Sequence, residues 1–180
     1  DHRVVAGDTT IEIGLEGSIP KGYIPNDQRR MDAYRRIGES ERLDALDGVV
    51  KELEGAYGEM PSATRRLIEL AEIRLAAALL GVVTLFVKDR DVIFRTTAPG
   101  NLQEALDGVQ GTVRMIAPDG AGGTIEATEG TEVEVYFRPP ESFLEPGSLA
   151  TILRRRLRPR AEKIVASIDS SSVAPEGDVD

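Results

Sequence analysis

Three successive segments near the front of the chain repeat their apolar residues every three or four positions, which is the spacing of one face of an α-helix. The first runs from about Asp27 to Glu39, and Asn26 or Asp27 can cap its free amide groups. It follows Tyr23-Ile24-Pro25, an extended entry because the residue before a proline avoids helical backbone angles. The apolar positions that should share its inward face are Met31, Tyr34 and Ile37.

The second helix is predicted from about Glu41 to Tyr57, where Gly58 can supply the left-handed residue that ends it. Its apolar stripe consists of Leu43, Leu46, Val50, Leu53 and Tyr57. A third helix should begin after Pro61 and end at Gly81, and its alanine-rich end allows close packing against a neighbouring element. The front of the chain is therefore a continuous block of helices.

The middle of the chain alternates apolar and polar residues, as half-buried strands do. Strands are predicted at 10–15, 85–87, 92–94, 112–116, 124–127 and 132–137, with a short helix at 101–109. Asp-Gly and Gly-Gly pairs between the later strands favour antiparallel hairpins. The order of elements indicates an α+β fold, with an N-terminal three-helix segment packed on a mostly antiparallel β-sheet and a C-terminal helix.

The C-terminal helix is predicted to begin near Leu149, to be interrupted by Pro159 and to resume from Arg160 to Ile168. The Ser-rich, acidic end is typical of a disordered tail. We therefore predict a lead-in at 1–22, a single α+β domain at 23–168 and a tail at 169–180. Because the chain starts at Asp1 without a methionine, we expect it to be a piece of a longer polypeptide.

Composition excludes several kinds of chemistry. The chain has 180 residues, 41% of them hydrophobic, a formal net charge of -9 and no cysteine, so thiolate nucleophiles and thiolate zinc sites are impossible. Its only histidine is His2, which rules out a Ser-His-Asp triad and a multi-histidine metal site. No apolar run approaches the roughly 20 residues that cross a bilayer. We expect no cofactor and no membrane contact.

Nucleotide-binding loops are missing from the pattern. The glycines at 17–22 are followed by Tyr23 instead of the lysine and hydroxyl of a phosphate loop, and Ile125 occupies the last glycine position of a dinucleotide fingerprint.

Asp and Glu total 31, so close carboxylates are expected in any fold. Those at the second helix should be solvated charges: Glu39, Glu41, Asp44 and Asp47.

Two arginine clusters could contact phosphates or an acidic protein surface. The simpler explanation of the cluster from Arg154 to Arg160 is a cationic helix end beside the last carbonyl groups, and the net charge disfavours nonspecific duplex binding. In the first helix we expect Arg30 with Tyr34 to lock helix to helix, while Arg35 or Arg36 is directed outward.

An ordered series of short motifs over residues 23–82 resembles the C-terminal domain of the bacterial transcription-repair coupling factors, the Mfd family. The series is Tyr-Ile-Pro, then Arg-Met-Asp-Ala-Tyr-Arg-Arg-Ile, then Glu-Leu-Glu-Gly-Ala-Tyr-Gly-Glu-Met-Pro, then a leucine-rich helix. No single motif is specific, but their order and spacing together are. The positions that match the family pattern are Tyr23, Pro25, Arg30, Tyr34, Arg36, Leu53, Tyr57, Gly58 and Pro61.

The resemblance implies a function for the chain. The family's whole protein is a cytoplasmic, ATP-dependent DNA translocase that removes stalled RNA polymerase and recruits the nucleotide-excision repair protein UvrA. Its C-terminal domain has no ATPase motifs and packs on a UvrB-like module of the same polypeptide, where it masks the UvrA-binding surface. The resemblance therefore implies a monomeric, non-catalytic, autoinhibitory domain that does not itself bind nucleic acid.

The resemblance also points to particular residues. In the family the end of the second helix presents Glu, Asp and Arg to the partner module, and the matching positions are Glu52, Gly55 and Ala56. Only the glutamate is retained, so the interdomain contacts are expected at Glu52, with Glu54 and Arg35 as further candidates. Two alternatives stay open: a free-standing interaction module for a different partner, and a small metal-independent enzyme that uses two close carboxylates in a deep cleft.

Overall fold

The computed structural model describes residues 8–116 and 130–172. The three front helices form as predicted, as α1 (Asp27–Glu39), α2 (Leu43–Tyr57) and α3 (Ser62–Leu79). The later helices are α4 (Pro99–Ala105) and α5 (Pro146–Ser171), with a short 3-10 helix at Glu141–Phe143. The strands are β1 (Thr10–Glu12), β2 (Val82–Lys88), β3 (Asp91–Thr96), β4 (Thr112–Ile116) and β5 (Val133–Arg138).

The five strands form one sheet in the order β1-β2-β3-β5-β4. Only β1 and β2 run parallel; β2 with β3, β3 with β5, and β5 with β4 are antiparallel. Phe94 of β3 lies opposite Leu85 of β2 and Val135 of β5, which aligns one apolar face across the sheet. The predicted α+β class is confirmed, and the predicted strand at 124–127 lies outside the described residues.

The core lies between the helices and this apolar face. Along β5, Val133, Val135 and Phe137 are buried while the alternate residues are more exposed, which is the two-residue period of a strand with one face on the core. Helix α3 packs along α5 and against β2, and the small side chains of Ala76 and Ala77 are fully buried there. The alanine-rich end of α3 thus lets neighbouring backbones approach closely.

Glycines end two of the front helices where the sequence predicts it. Gly58 has a φ of 83° and its amide donates to the carbonyl oxygen of Glu54, and Gly81 has a φ of 82° just beyond α3. Such positive angles favour glycine, which has no Cβ to collide with its own backbone. These two positions set the lengths of α2 and α3.

The predicted inward position of Met31 is wrong, because its side chain is 62% exposed. Helix α1 packs through Ala33 and Ile37, with Tyr34 half-buried beside them. A step of three residues falls about 60° short of a full turn, so Met31 lies about 120° around the helix from Ile37. That rotation places Met31 outside the core-facing stripe.

The predicted interruption at Pro159 is also wrong, since α5 is continuous from Pro146 to Ser171. Pro159 lies on the exposed side of the helix, while Leu153, Leu157 and Ala161 on the other side are fully buried. The burial of helix residues before and after the proline in the sequence offsets the roughly 3 kcal/mol that a proline costs inside a helix.

The continuity of α5 has two consequences. The helix includes residues 169–171, the first three positions of the predicted tail, and residues 173–180 lie outside the described part. The arginine cluster from Arg154 to Arg160 lies in the middle of the helix, so its explanation as a cationic helix end is wrong.

Candidate interdomain interface

Two family-pattern residues of α1 fasten the lead-in segment to the helix. The hydroxyl of Tyr34 accepts a hydrogen bond from the amide of Ile19 at 2.7 Å, and Nη1 of Arg30 donates to the carbonyl oxygen of Ile24 at 3.0 Å. Arg30 also pairs with Asp27 at 2.6 Å. The expectation that Arg30 and Tyr34 lock helix to helix is therefore wrong, because both bind the segment before α1.

A second group of these residues fixes the junction between α2 and α3. Tyr23 donates its hydroxyl hydrogen to the carbonyl oxygen of Gly58 at 2.9 Å, and its ring meets that of Tyr57 edge-on with centroids 5.8 Å apart. Partial burial raises the pKa of Tyr23, and the nearby charge of Glu54 raises it further. Leu53 is buried beneath this junction, and Pro61 precedes the first residue of α3. The end of α2 is thus held at both its backbone and its side chains.

Arg36 is the residue that joins α1 to α2. Its Nη2 donates to Oε2 of Glu52 in a close ion pair, although Glu52 remains 63% exposed. Arg35 is directed outward, and it pairs along its own helix with Asp32 and Glu39. The outward arginine is therefore Arg35, and the sequence could not show that Arg36 orients the candidate docking glutamate.

The last two turns of α2 present a small polar surface. We call it the α2-end surface, and its exposed members are Lys51, Glu52, Glu54, Gly55 and Ala56. A Cβ added at Gly55 would meet nothing within 4 Å, so the backbone there is open to an approaching surface. The three predicted interdomain residues Glu52, Glu54 and Arg35 are all exposed, with Glu52 held in place from within the domain.

An ion-pair network around one buried carboxylate, which sequence patterns did not predict, joins α2, α3 and α5. Glu72 of α3 accepts from Nε of Arg154 and from Nη1 of Arg158, both at 2.8 Å, and its side chain is 6% exposed. Arg158 also pairs with Asp47 at 2.7 Å and with Glu162 at 2.6 Å. In the sequence, this network is indicated only by an acidic residue, Glu72, among the apolar residues of α3 and by two arginines, Arg154 and Arg158, four residues apart on α5.

The network has a clear electrostatic effect. The hydrogen bonds that Arg158 donates to the carboxylate of Asp47 are the largest cause of its raised pKa, so the guanidinium stays charged. Asp47, predicted to be a solvated charge, instead connects α2 to α5. The network therefore fixes how the helix that bears the α2-end surface sits on the rest of the domain.

Elsewhere, the shifted carboxyl groups have lowered pKa values. Nε and Nη2 of Arg138 donate to Asp91 at 2.9 and 2.8 Å and lower the pKa of that carboxyl. Arg42 has the same effect on Asp44, and the amides of Ser148 and Gly147 on Glu145. A general acid that works near neutral pH needs the opposite shift. These three groups are therefore suited to ion pairs and to helix capping.

Within residues 8–116 and 130–172, no group of three or more acidic or histidine side chains is placed to hold a metal ion. None of the helices in the described part of the chain combines the length and apolarity needed to cross a bilayer. A groove with a volume of about 460 Å³ opens between the start of α2 and the end of α5, where Leu43, Leu79 and Ile168 contribute apolar surface.

The fold and its polar contacts define an α+β domain in which helices α1 and α2 are fastened to a sheet-based core and expose a polar helix end. The family model described as the TRCF domain matches residues 13–105. This chain belongs to the TRCF domain family, and the predicted resemblance is confirmed.

Individual relatives agree with this assignment. The transcription-repair-coupling factor of Mycobacterium bovis (strain ATCC BAA-935 / AF2122/97) is 32% identical over 75 residues, which cover 42% of this chain and 6% of that protein. The corresponding protein of Staphylococcus aureus (strain USA300) is 24% identical over 101 residues, which cover 56% of this chain and 8% of that protein. The matched part of this chain thus spans less than a tenth of the length of these relatives.

A solved structure shows the same fold over nearly the whole domain. The crystal structure of the C-terminal domain of transcription-repair coupling factor superposes with a TM-score of 0.66 at 14% identity. The match covers 89% of this chain and 96% of that chain, so the similarity of fold extends well beyond the residues that the family model matches.

Proposed function

We propose that this chain is the regulatory C-terminal domain of a transcription-repair coupling factor. In this proposal it catalyses no reaction and docks on a UvrB-like module of the same polypeptide, where it masks the UvrA-binding surface. The observation that carries the proposal is the exposed carboxylate of Glu52, at the position where the family presents its docking glutamate, held by Arg36. Family membership supports the wider setting of transcription-coupled nucleotide excision repair.

The geometry at Glu52 suits a docking contact. Arg36 binds Oε2, and no hydrogen bond among the described residues uses Oε1, which therefore remains available to a cation on the partner. A side chain already held in one orientation loses less conformational entropy when it binds, so more of the interaction contributes to affinity. Glu54 lies on the same exposed end of α2, and Arg35 on the exposed side of α1.

The character of the surface also suits an interface that must release. Gly55 and Ala56 replace the acid-base pair of the family pattern with exposed backbone and a methyl group, so few ion pairs can form. Interdomain contacts of modest size and polar character are commonly the ones that open during regulation. The proposed autoinhibition is thus a reversible contact between two folded modules.

Glu52→Arg in the full-length parent protein tests this proposal. The substitution places a cation where the partner should supply one, so the masked surface should be uncovered and UvrA capture in a pull-down should rise. Glu132→Arg makes the same charge change at an exposed residue next to β5 and should leave capture at the wild-type level. Unchanged UvrA capture by Glu52→Arg would count against docking through this surface.

A swap variant separates docking from the internal ion pair. In Arg36→Glu/Glu52→Arg the pair between α1 and α2 is kept with its charges exchanged, while the docking carboxylate is lost. Under the proposal this variant captures UvrA as strongly as Glu52→Arg does. Wild-type capture by the swap variant would mean that only the internal pair matters.

A further inference from the structure

A cleft of about 270 Å³ lies between α4 and α5, and it is separated from the cleft beside Glu72 by Arg155 and Pro159, which border both. We call it the basic cleft; its lining residues are Glu104 and Ala105 of α4 and Arg155, Arg156, Pro159, Arg160 and Lys163 of α5. The α5 residues recur every four positions, at 155, 159 and 163 and at 156 and 160, so they share one side of the helix. The cleft shares no residue with the α2-end surface.

The charge balance of the basic cleft differs from that of the Glu72 network. Arg154 and Arg158 are matched there by four carboxylates, those of Asp47, Glu69, Glu72 and Glu162. The basic cleft instead holds four cations and a single carboxylate, Glu104, which pairs with Arg160 at 2.6 Å. This is a local excess of three positive charges in a chain whose formal net charge is -9.

Contacts within the described residues leave these cations only partly satisfied. Nη1 of Arg156 donates to the carbonyl oxygen of Asp107 at 2.9 Å, a neutral acceptor. Nε of Arg160 is buried and has no hydrogen-bond acceptor among the described residues. Arg155 and Lys163 are exposed and take part in none of the ion pairs of the described residues.

Helix stability does not account for the cluster. The favourable interaction of cations with a helix C-terminus falls off within the last turn, and α5 continues beyond Lys163 to Ser171. Like charges four residues apart, such as Arg156 and Arg160, repel each other and weaken a helix. The cations are therefore better explained by a ligand than by folding.

We propose that the basic cleft binds an acidic peptide segment of a protein partner, whose carboxylates meet Arg155, Arg156 and Lys163. A guanidinium forms two parallel hydrogen bonds with a carboxylate, which provides both affinity and orientation. From Arg155 to Lys163 the cleft extends about 12 Å along the helix, enough for a few side chains of an extended peptide.

The same features disfavour a nucleic acid. The lining contains no aromatic side chain on which a base could stack. Specific protein–DNA interfaces bury about 1,000 Å² or more, which a cleft that extends only about 12 Å along one helix cannot supply. The overall negative charge adds a long-range repulsion that a short peptide meets less than a polynucleotide does.

Fluorescence anisotropy on the 180-residue chain at low salt tests the proposal, with labelled hexaglutamate as one probe and a labelled single-stranded hexanucleotide as the other. We expect saturable binding of hexaglutamate that Arg155→Glu/Lys163→Glu weakens by about tenfold or more. Lys21→Glu/Lys88→Glu changes the net charge equally at exposed positions elsewhere and should weaken it by less than about threefold. Circular dichroism confirms that both variants are folded.

The outcomes are distinct. Loss of hexaglutamate binding in the cleft variant alone supports the site. No hexaglutamate binding by the wild type, or equal losses in the two variants, would overturn it. Tighter binding of the hexanucleotide than of hexaglutamate would also overturn it, since the cleft would then select phosphate over carboxylate. None of these results depends on UvrA capture, so the proposed docking function can fail or stand independently.

Discussion

Glu72 of α3 binds two arginines of α5, and one of them, Arg158, also pairs with Asp47 of α2, so removal of the Glu72 charge tests how the domain holds these helices together. In Glu72→Gln the shape is kept and the charge is lost, which leaves Arg154 and Arg158 facing a neutral amide. Removing one partner of a fully buried ion pair typically costs about 3–5 kcal/mol. The two arginines are 37% and 24% exposed and keep other carboxylates, so we expect about half of that, ~2 kcal/mol.

Chemical and thermal unfolding measure this loss. For a domain of this size each kcal/mol lowers the melting temperature by about 2–4 °C, so Glu72→Gln should lower it by about 4–8 °C. Glu69→Gln is the matched control, because Glu69 lies on the same helix, is 26% exposed and meets Arg154 at 3.3 Å alone. We expect it to cost less than about 1 kcal/mol. If the two variants lose equal stability, the buried carboxylate of Glu72 contributes no more to holding the helices together than the half-buried Glu69 does.

A third variant identifies the source of the cost. Glu72→Leu/Arg154→Met/Arg158→Met removes the charges at the centre of the network together. Replacement of a buried ion pair by apolar residues of similar volume is often neutral or stabilising, whereas an unpaired buried charge is costly. The triple variant should therefore be more stable than Glu72→Gln. A lower stability would mean that the ion pairs themselves contribute net free energy.

Three further predictions concern other parts of the fold. Arg138 lowers the pKa of Asp91, so the ion pair between them stabilises the fold above the usual carboxyl pKa of 3.8, and this stabilisation is lost as the pH falls through the lower folded-state pKa. Asp91→Asn should therefore flatten the decline of the unfolding free energy below about pH 4. An unchanged slope would contradict this. Pro159→Ala restores a missing backbone hydrogen bond on the exposed side of α5 and should stabilise the domain by about 1–3 kcal/mol in thermal unfolding. A loss of stability would instead show that the proline ring packs favourably. Gly55→Asp/Ala56→Arg supplies the family's acid-base pair at two open positions of the α2-end surface, so in the full-length parent it should reduce UvrA capture below the wild-type level. Capture equal to that of the wild type would argue against docking through this surface.

The helices were predictable because their signals are local. Periodic apolar residues gave α1, α2 and α3, and the glycines at 58 and 81 marked helix ends that require a positive φ. The two errors in the helices have physical causes: Met31 follows a three-residue step that rotates away from the core, and Pro159 lies on the exposed side of a well-packed helix. At Pro159, the packing of buried residues before and after the proline outweighs its tendency to break a helix.

The polar contacts could not be predicted, because they join residues that are distant in sequence. Glu72 and Arg158 are 86 residues apart, and Arg36 and Glu52 are 16 apart. Charge patterns on one helix show which side chains share a face, but not which helix lies opposite. The same limit applied to the cluster at 154–160. Arg154 and Arg158 contact Glu72, Arg156 and Arg160 line the basic cleft, and Arg155 borders both clefts.

The internal pairing of Glu52 limits how strongly the proposed interface can hold. A partner cation must share the carboxylate with Arg36, and an exposed ion pair contributes only about 0–1 kcal/mol in any case. With Gly55 and Ala56 beside it, Glu52 would shift the balance between docked and released forms by about fivefold at most through charge alone. Stronger docking would have to come from shape and backbone contacts at the open positions 55 and 56. If the proposed docking occurs, this domain should therefore be released more readily than one that presents the family's full acid-base set.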